Sequence, residues 1–204
     1  MLVILQWYAR SLVANGLEFK GYLNQMEEKL NVICVRESWL KPKLDFVIKG
    51  YVSVRRDREE GTGDGCVTFI NSGIQYRMVG KGSEIYVVVE VWKEDKSVVI
   101  IHFYNPCKQM TLEEMKKIEG HSREMVIWCG DFNAHSNMWG GSVIDRNVQL
   151  IEEIMDEMNL ICLNDRRGTR IDMRTGQEVV LDLTLTNSRL GGIIKWKVLR
   201  KCTR

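Results

Sequence analysis

Three polar side chains of different kinds stand at alternate positions beyond one apolar run: Asp131, Asn133 and His135 in "VIWCGDFNAHSNMWGG", residues 126–141. A carboxylate, an amide and an imidazole so spaced could meet a metal ion and a phosphate on one polar face. Gly130, Asp131 and Asn133 are also good turn formers, so the stretch alone reads as well as a turn closing a buried strand. Similar interruptions occur elsewhere. Glu37 ends "VICVRESW", Tyr104 and Asn105 end "VVIIHFYN", and Asp182 lies inside "VVLDLTLT", between Val180 and Thr184. A lone carboxylate there needs a cation or hydrogen-bond donors, because burying it unpaired is costly. A hydrogen bond to a loop would satisfy it too.

Three acids and an amide, each at or near the end of a different β-run, suit a Mg²⁺-dependent phosphoesterase. Mg²⁺ prefers hard oxygen ligands and is held by one or two carboxylates, with waters and substrate phosphate. It neutralises the phosphodiester and stabilises the leaving oxygen. A second carboxylate can orient or deprotonate the attacking water, and an amide can fix that water or a phosphate oxygen.

The elements that must position these groups are mostly strands. "LVILQWYA", "NVICVRES", "GCVTFI", "EIYVVVEVW", "SVVIIHFY", "MVIWCG", "LICLND" and "VVLDLTLT" are β-rich runs bounded by Gly, Asn, Asp or Ser. "YVVVEVWKEDKSVVIIHFY" predicts a hairpin turning between Lys93 and Lys96. Three segments carry a helical period: Phe19, Tyr22, Leu23, Met26 and Leu30; the stretch begun by Thr111 and Glu114, a capping-box pair; and Leu150, Ile151, Ile154, Met155 and Met158. A doubly wound parallel fold needs a helix after nearly every strand, and residues 46–104 offer none. The expectation is an α+β fold, two sheets packed together with helices outside. No internal repeat or linker divides it, so residues 1–204 read as a single domain.

The chain has 204 residues, 45% hydrophobic and 27% charged, enough for one domain with a sizeable core. A formal charge of +2 neither demands nor excludes DNA. Local basic islands say more: Arg55 and Arg56, then Arg166, Arg167 and Arg170, then the tail "KWKVLRKCTR". Each is a candidate phosphate contact, although such islands are more often solvated loops. None of the six cysteines forms a Cys-x-x-Cys pair, so zinc has little support. Cys34, Cys66, Cys129 and Cys162 lie in apolar runs and read as reduced core thiols. With no basic leader and no span-length apolar run, the expectation is an intracellular protein, cytoplasmic or nuclear, neither secreted nor membrane-bound.

Six segments in order carry a resemblance: "ILQWYARS", "VICVRESWLKP", "FVIKGYVSVRRDREEGTGDGCVTFI", "WCGDFNAHSNMWGG", "LNDRRGTRID" and "VLDLTLTNSRL". Together they resemble the endonuclease domain of jockey-type non-LTR retrotransposons, within the endonuclease/exonuclease/phosphatase superfamily. The resemblance implies a deoxyribonuclease I-like four-layer α/β/β/α sandwich of two mostly antiparallel mixed sheets. It implies Mg²⁺-dependent nicking of DNA, with Mn²⁺ as an alternative ion, no small-molecule cofactor, and a reverse transcriptase domain downstream in a longer polyprotein. In that comparison Glu37 matches the metal-binding glutamate, with Asp131 also near the metal. Asp131 and Asn133 match the pair that positions water and phosphate. Tyr104 matches the tyrosine on the phosphate side, with Asn105 beside it; His135 matches a histidine of this branch, and Asp182 the aspartate before the last catalytic strand.

Two departures bear on chemistry. Position 8 is Tyr where the family has Asn as a metal and water ligand, and a phenol offers Mg²⁺ no amide oxygen. The family closes with a Ser-Asp-His strand, and here the chain stops at "KCTR" without it. The expectation is therefore a domain incomplete at its C-terminus, lacking the last strand, with a less ordered tail and impaired activity. Two other functions compete: a non-catalytic DNA-binding remnant, and a phosphatase or phosphodiesterase on the same fold.

Overall fold

The computed structural model describes residues 1–57, 64–106, 110–118, 124–134, 136, 139, 146–171 and 176–199. The first sheet is built from β1 (Ile4–Tyr8), β2 (Val32–Arg36), β3 (Tyr51–Arg56) and β4 (Cys66–Asn71), in the order β1-β2-β4-β3. Helix α1 (Leu12–Gln25) crosses from β1 to β2, which is why those two strands run parallel; the other pairs are antiparallel. The chain then forms β5 (Gln75–Met78), β6 (Tyr86–Lys93), β7 (Lys96–Tyr104), α2 (Leu112–Lys116), β8 (Val126–Asp131), α3 (Arg146–Glu157) and β9 (Leu160–Cys162). A small hairpin, β10 (Arg170–Ile171) with β11 (Glu178–Val179), precedes β12 (Asp182–Asn187) and the short α4 (Ser188–Gly191). The second sheet runs β5-β6-β7-β8-β12-β9, with β7 and β8 its parallel pair.

Each layer of core follows from the strand period of two. On the outer face of the first sheet, Leu12 and Phe19 of α1 pack on Ile33, Val35, Val67 and Phe69. On the outer face of the second, Met115, Val148, Ile151 and Ile154 cover Ile101, Phe103, Val126 and Trp128. Val32, Cys34, Ile70, Val89, Ile100, Ile127 and Cys129 fill the space between the sheets. β2 and β8 are thus covered on both faces, and every residue in them is buried, as their near-continuous apolar runs predict. The result is the four-layer α/β/β/α sandwich.

Helix α2 carries the full capping box between Thr111 and Glu114. α1 starts well before the Phe19–Leu30 stripe, because the Ser11 hydroxyl accepts the Ala14 N–H at 3.2 Å and Leu12 reaches the core. Three features differ from expectation. β3, β5 and the β10–β11 hairpin went unpredicted, being short, polar or at sheet edges. Asp182 opens β12 instead of lying in its middle. The tail through residue 199 lies against the sandwich, where the Trp196 indole N–H donates to Thr184 Oγ1 at 3.0 Å.

The inner face between the sheets has a polar row one step below its end. Gln6, Cys34 and Thr68 stand abreast on β1, β2 and β4. Thr184, Cys129 and His102 stand abreast opposite them, on β12, β8 and β7. They meet pairwise: Gln6 Nε2 with Thr184 Oγ1 at 2.7 Å, Cys34 with Cys129 at 3.6 Å between sulfurs, Thr68 Oγ1 with His102 Nδ1 at 3.1 Å. Burial pushes His102 down to about 3, so this imidazole is neutral.

Candidate active site

The next row along the same faces is the end of the sandwich, at the carboxyl ends of both parallel pairs. Tyr8, Arg36 and Cys66 stand abreast in the first sheet. Tyr104, Asp131 and Asp182 stand abreast in the second. Gly130 makes this row possible. Its φ is +146°, and a Cβ built there would fall 1.7 Å from the Phe103 carbonyl oxygen. Only glycine lets β8 press so closely on β7 just before Asp131.

Glu37 follows β2 with a φ of +53°, and Trp39 has +54°. Such left-handed conformations in large residues persist only where surroundings enforce them. Here the Glu37 and Ser38 carbonyls accept the Ser11 and Leu12 N–H groups at 2.8 and 2.9 Å. The Glu37 carboxylate turns into the cleft, accepting one hydrogen bond from the Tyr104 hydroxyl and another from Trp39 Nε1 at 2.6 Å. Burial, together with Glu37 itself, pushes the Tyr104 hydroxyl well above its ordinary value and keeps it a donor.

Asp131 is buried, and its Oδ1 accepts the Asn133 N–H at 2.9 Å. Burial raises its carboxyl to about 6, although Arg36 pulls the other way. Asn133 has a φ of +46°, a conformation asparagine tolerates. Its side-chain amide donates to the Asn105 carbonyl, and its own carbonyl accepts from Asn147 Nδ2 at 2.8 Å. The Asn105 N–H donates to the Asp131 carbonyl at 2.8 Å. Asn105 itself is buried, and its Nδ2 donates to the Phe132 carbonyl at 3.4 Å.

Arg36 is the residue that sequence reasoning missed. Its side chain is 1% exposed, forms an ion pair with Asp182, and brings Nε within 3.9 Å of Asp131 Oδ2. Burial opposes its charge, but Asp182 and Asp131 together hold its pKa above the ordinary value. Burial likewise raises the Asp182 carboxyl against the pull of Arg36. One signal could have found it. Cys34 faces inward on β2, and the period of two then turns Arg36 inward as well.

The Tyr8 ring lies beside this triad, 5.7 Å from the Arg36 guanidinium carbon and 4.5 Å from that of Arg170. Among the expected basic contacts, Arg170 therefore reaches the cleft. Arg167 pairs with Asp165 and lies 5.9 Å over the Trp196 ring. Arg55 donates to the Leu44 carbonyl at 2.6 Å and pairs with Asp57 at 3.3 Å; Arg56 donates to the Lys81 carbonyl. Arg166 sits at a φ of +72° in the loop before Arg167. His135 lies outside the described residues.

The carboxylate and amide oxygens of the site suit a hard cation. Among the described residues no three His, Cys, Asp or Glu side chains are arranged to cage an ion. Mg²⁺ does not need a cage, since one or two carboxylates with water and phosphate suffice. Half-buried Glu37, at the mouth, fits that role. The charges of Asp131 and Asp182 already face Arg36.

Two mixed sheets face to face, helices outside, and an acidic cleft at the ends of the parallel pairs define a deoxyribonuclease I-like protein, the architecture of nucleases and phosphodiesterases. A family model described as endonuclease-reverse transcriptase matches residues 98–202, and the chain belongs to that family. It is similar in structure to the endonuclease domain of TRAS1, a telomere-specific non-LTR retrotransposon. The TM-score is 0.76 at 18% identity, over 97% of this chain and 90% of that one. An AP endonuclease from Archaeoglobus fulgidus superposes with a TM-score of 0.71 at 16% identity, over 94% and 89% of the two chains. The 3′ phosphatase NExo from Neisseria, bound to a product DNA hairpin, gives 0.67 at 14%, over 96% and 90%. At these identities the likenesses show the fold. No curated protein matches the chain, and no helix among the described residues is long and apolar enough to cross a membrane.

Proposed function

We propose that this chain is the Mg²⁺-dependent DNA endonuclease domain of a jockey-type non-LTR retrotransposon polyprotein, a nickase whose turnover is slowed by Tyr8. One observation carries the reading. Glu37, Tyr104, Asp131, Asn133 and Asp182 come from separate parts of the chain, and they gather in one row and the loops above it. Glu37 is the carboxylate that would hold Mg²⁺, with Asp131 nearby and Mn²⁺ as an alternative ion. When bound, the ion supplies positive charge to the phosphodiester and its leaving oxygen.

The chain's own groups do the rest. Asp131, with its carboxyl raised to about 6, is ionised at neutral pH yet basic enough to take a proton from the attacking water. Asn133 orients that water or a phosphate oxygen, and Tyr104 holds Glu37 at the mouth. Asp182 secures Arg36 behind them, and His135 is a further candidate catalytic residue. Arg170 beside Tyr8, with Arg166, Arg167, Arg55 and Arg56, serves the DNA backbone. A reverse transcriptase domain of the same polyprotein is the natural partner, using the nick as a primer. Tyr8 gives the cleft a ring where an amide oxygen would help hold ion and water.

The test is Mg²⁺-dependent conversion of supercoiled plasmid to open circles, with Asp131→Ala and Glu37→Gln as controls. Slow nicking that both variants lower by about 10²-fold or more supports the reading. Salt-sensitive DNA binding with no cleavage under any metal makes the chain a non-catalytic remnant instead. Turnover of phosphomonoesters without nicking makes it a phosphatase.

A further inference from the structure

We propose that Arg36 is the resident cation of this cleft: it positions Asp131 and Asp182 and takes the place between them that a divalent ion would otherwise fill, leaving Glu37 as the carboxylate open to metal. The inference rests on the metal-dependent site proposed above. It concerns how many ions the cleft takes and which residues hold them.

Three observations support it. The first is position. Arg36 stands directly across the sandwich from Asp131, in the row Tyr8–Arg36–Cys66 that faces Asp182–Asp131–Tyr104. The second is commitment. The guanidinium is 1% exposed, pairs with Asp182 and lies 3.9 Å from Asp131. Among the described residues its Nε and Nη1 have no hydrogen-bond partner, and the two aspartates supply the opposite charge beside it. A buried cation kept in place with so few hydrogen bonds is retained for its charge and position. The third is confinement. Tyr8 lies against Arg36, and Cys66 beside it is fully buried. Two neighbouring carboxylates with no cation between them are the elementary divalent site, and the guanidinium here takes that cation's part.

Glu37 is placed differently. It leaves the strand through a left-handed turn, and its carboxylate accepts from the Tyr104 hydroxyl and Trp39 Nε1. The acids of the cleft thus divide into two kinds: a pair neutralised from within and a single one facing out. Arg36 is a positioning residue in this arrangement, since it acts on substrate only through the two aspartates.

The test counts Mn²⁺ bound to the full-length chain by electron paramagnetic resonance, without DNA, beside thermal melting. The unmodified chain is expected to bind a single weak ion that Glu37→Gln removes. Arg36→Gln is expected to gain a second ion, absent again in Arg36→Gln/Asp131→Asn, and to melt at a temperature that climbs with Mn²⁺. Arg36→Lys keeps the charge and the original count. A folded Arg36→Gln with an unchanged count overturns the proposal. Should Arg36→Gln not fold, Asp182→Asn in the otherwise unmodified chain decides: an unchanged ion count supports the proposal, and a missing ion overturns it. Nicking is not read in these titrations. A chain that never cleaves DNA would overturn the function proposed above and leave the ion count to be judged by itself.

Discussion

The Arg170 guanidinium carbon lies 4.5 Å over the centre of the Tyr8 ring, while that of Arg36 approaches the same ring at 5.7 Å. One aromatic face thus joins the buried end of the ion triad to a loop cation. The ring, more than the hydroxyl, makes both contacts. Tyr8→Leu should therefore destabilise the chain by about 1 kcal/mol, whereas Tyr8→Phe should stay within about 0.5 kcal/mol. Urea denaturation of the two variants checks this, and equal losses would place the effect in the hydroxyl.

Asp131 titrates in a window that stability can read. Burial raises its carboxyl from an ordinary 3.8 to about 6, so the fold favours the protonated form. That contribution is fully present below the lower value and lost as pH rises through the upper one. Asp131→Asn removes the dependence. Its stability relative to the unmodified chain should grow between about pH 4 and pH 7, by at most about 3 kcal/mol. Melting curves without metal across this range test the sign; a variant that loses ground with rising pH would refute it.

Gly130 admits no side chain. Alanine there would bring a methyl group onto the Phe103 carbonyl and force β8 off β7. Gly130→Ala should cost more than about 3 kcal/mol or leave no cooperative unfolding transition. A variant melting like the original chain would mean the strand pair can open without harm.

The Arg166–Arg170 loop is expected to meet DNA phosphates. Changing Arg166 and Arg167 to Gln should weaken binding to any duplex sequence and flatten its salt dependence by roughly one log-log unit for each phosphate no longer neutralised. Filter binding across a salt series measures this. The same slope in both proteins would assign these arginines to intramolecular pairing, as Arg167 already has with Asp165.

The sequence made the long strands legible because residues such as Val32–Val35 and Val126–Cys129 are apolar on both faces. The Thr111–Glu114 cap was legible because both its partners are local. β3 was not, since Tyr51–Arg56 alternates too weakly, with Val52 and Ser53 both exposed before buried Val54. Glu37, Tyr104 and Asp131 stood out as polar ends of apolar runs, and Asp182 as a carboxylate inside one. Arg36 did not, although it is adjacent to Glu37. A charge at a strand end reads as solvated until its countercharges arrive, and those lie on β8 and β12, far along the chain. Asn105 stood out in the same way as Tyr104 at the end of its strand, and it is buried with its Nδ2 donating to the Phe132 carbonyl at 3.4 Å.

The row of Gln6–Thr184, Cys34–Cys129 and Thr68–His102 contacts works like the divisions of a vernier. Oily faces slide over one another almost without preference, and a sandwich held by them alone would tolerate small offsets between its halves. Here a slip of one repeat would set Cys34 against Ile127 and Thr68 against Ile100 instead of His102, leaving the buried threonine hydroxyl without its partner. Glu37 arrives from one half and Tyr104 and Asp131 from the other, so every distance across the cleft is a distance between two independently hung plates. The polar row fixes those plates one notch below the place where the chemistry would occur.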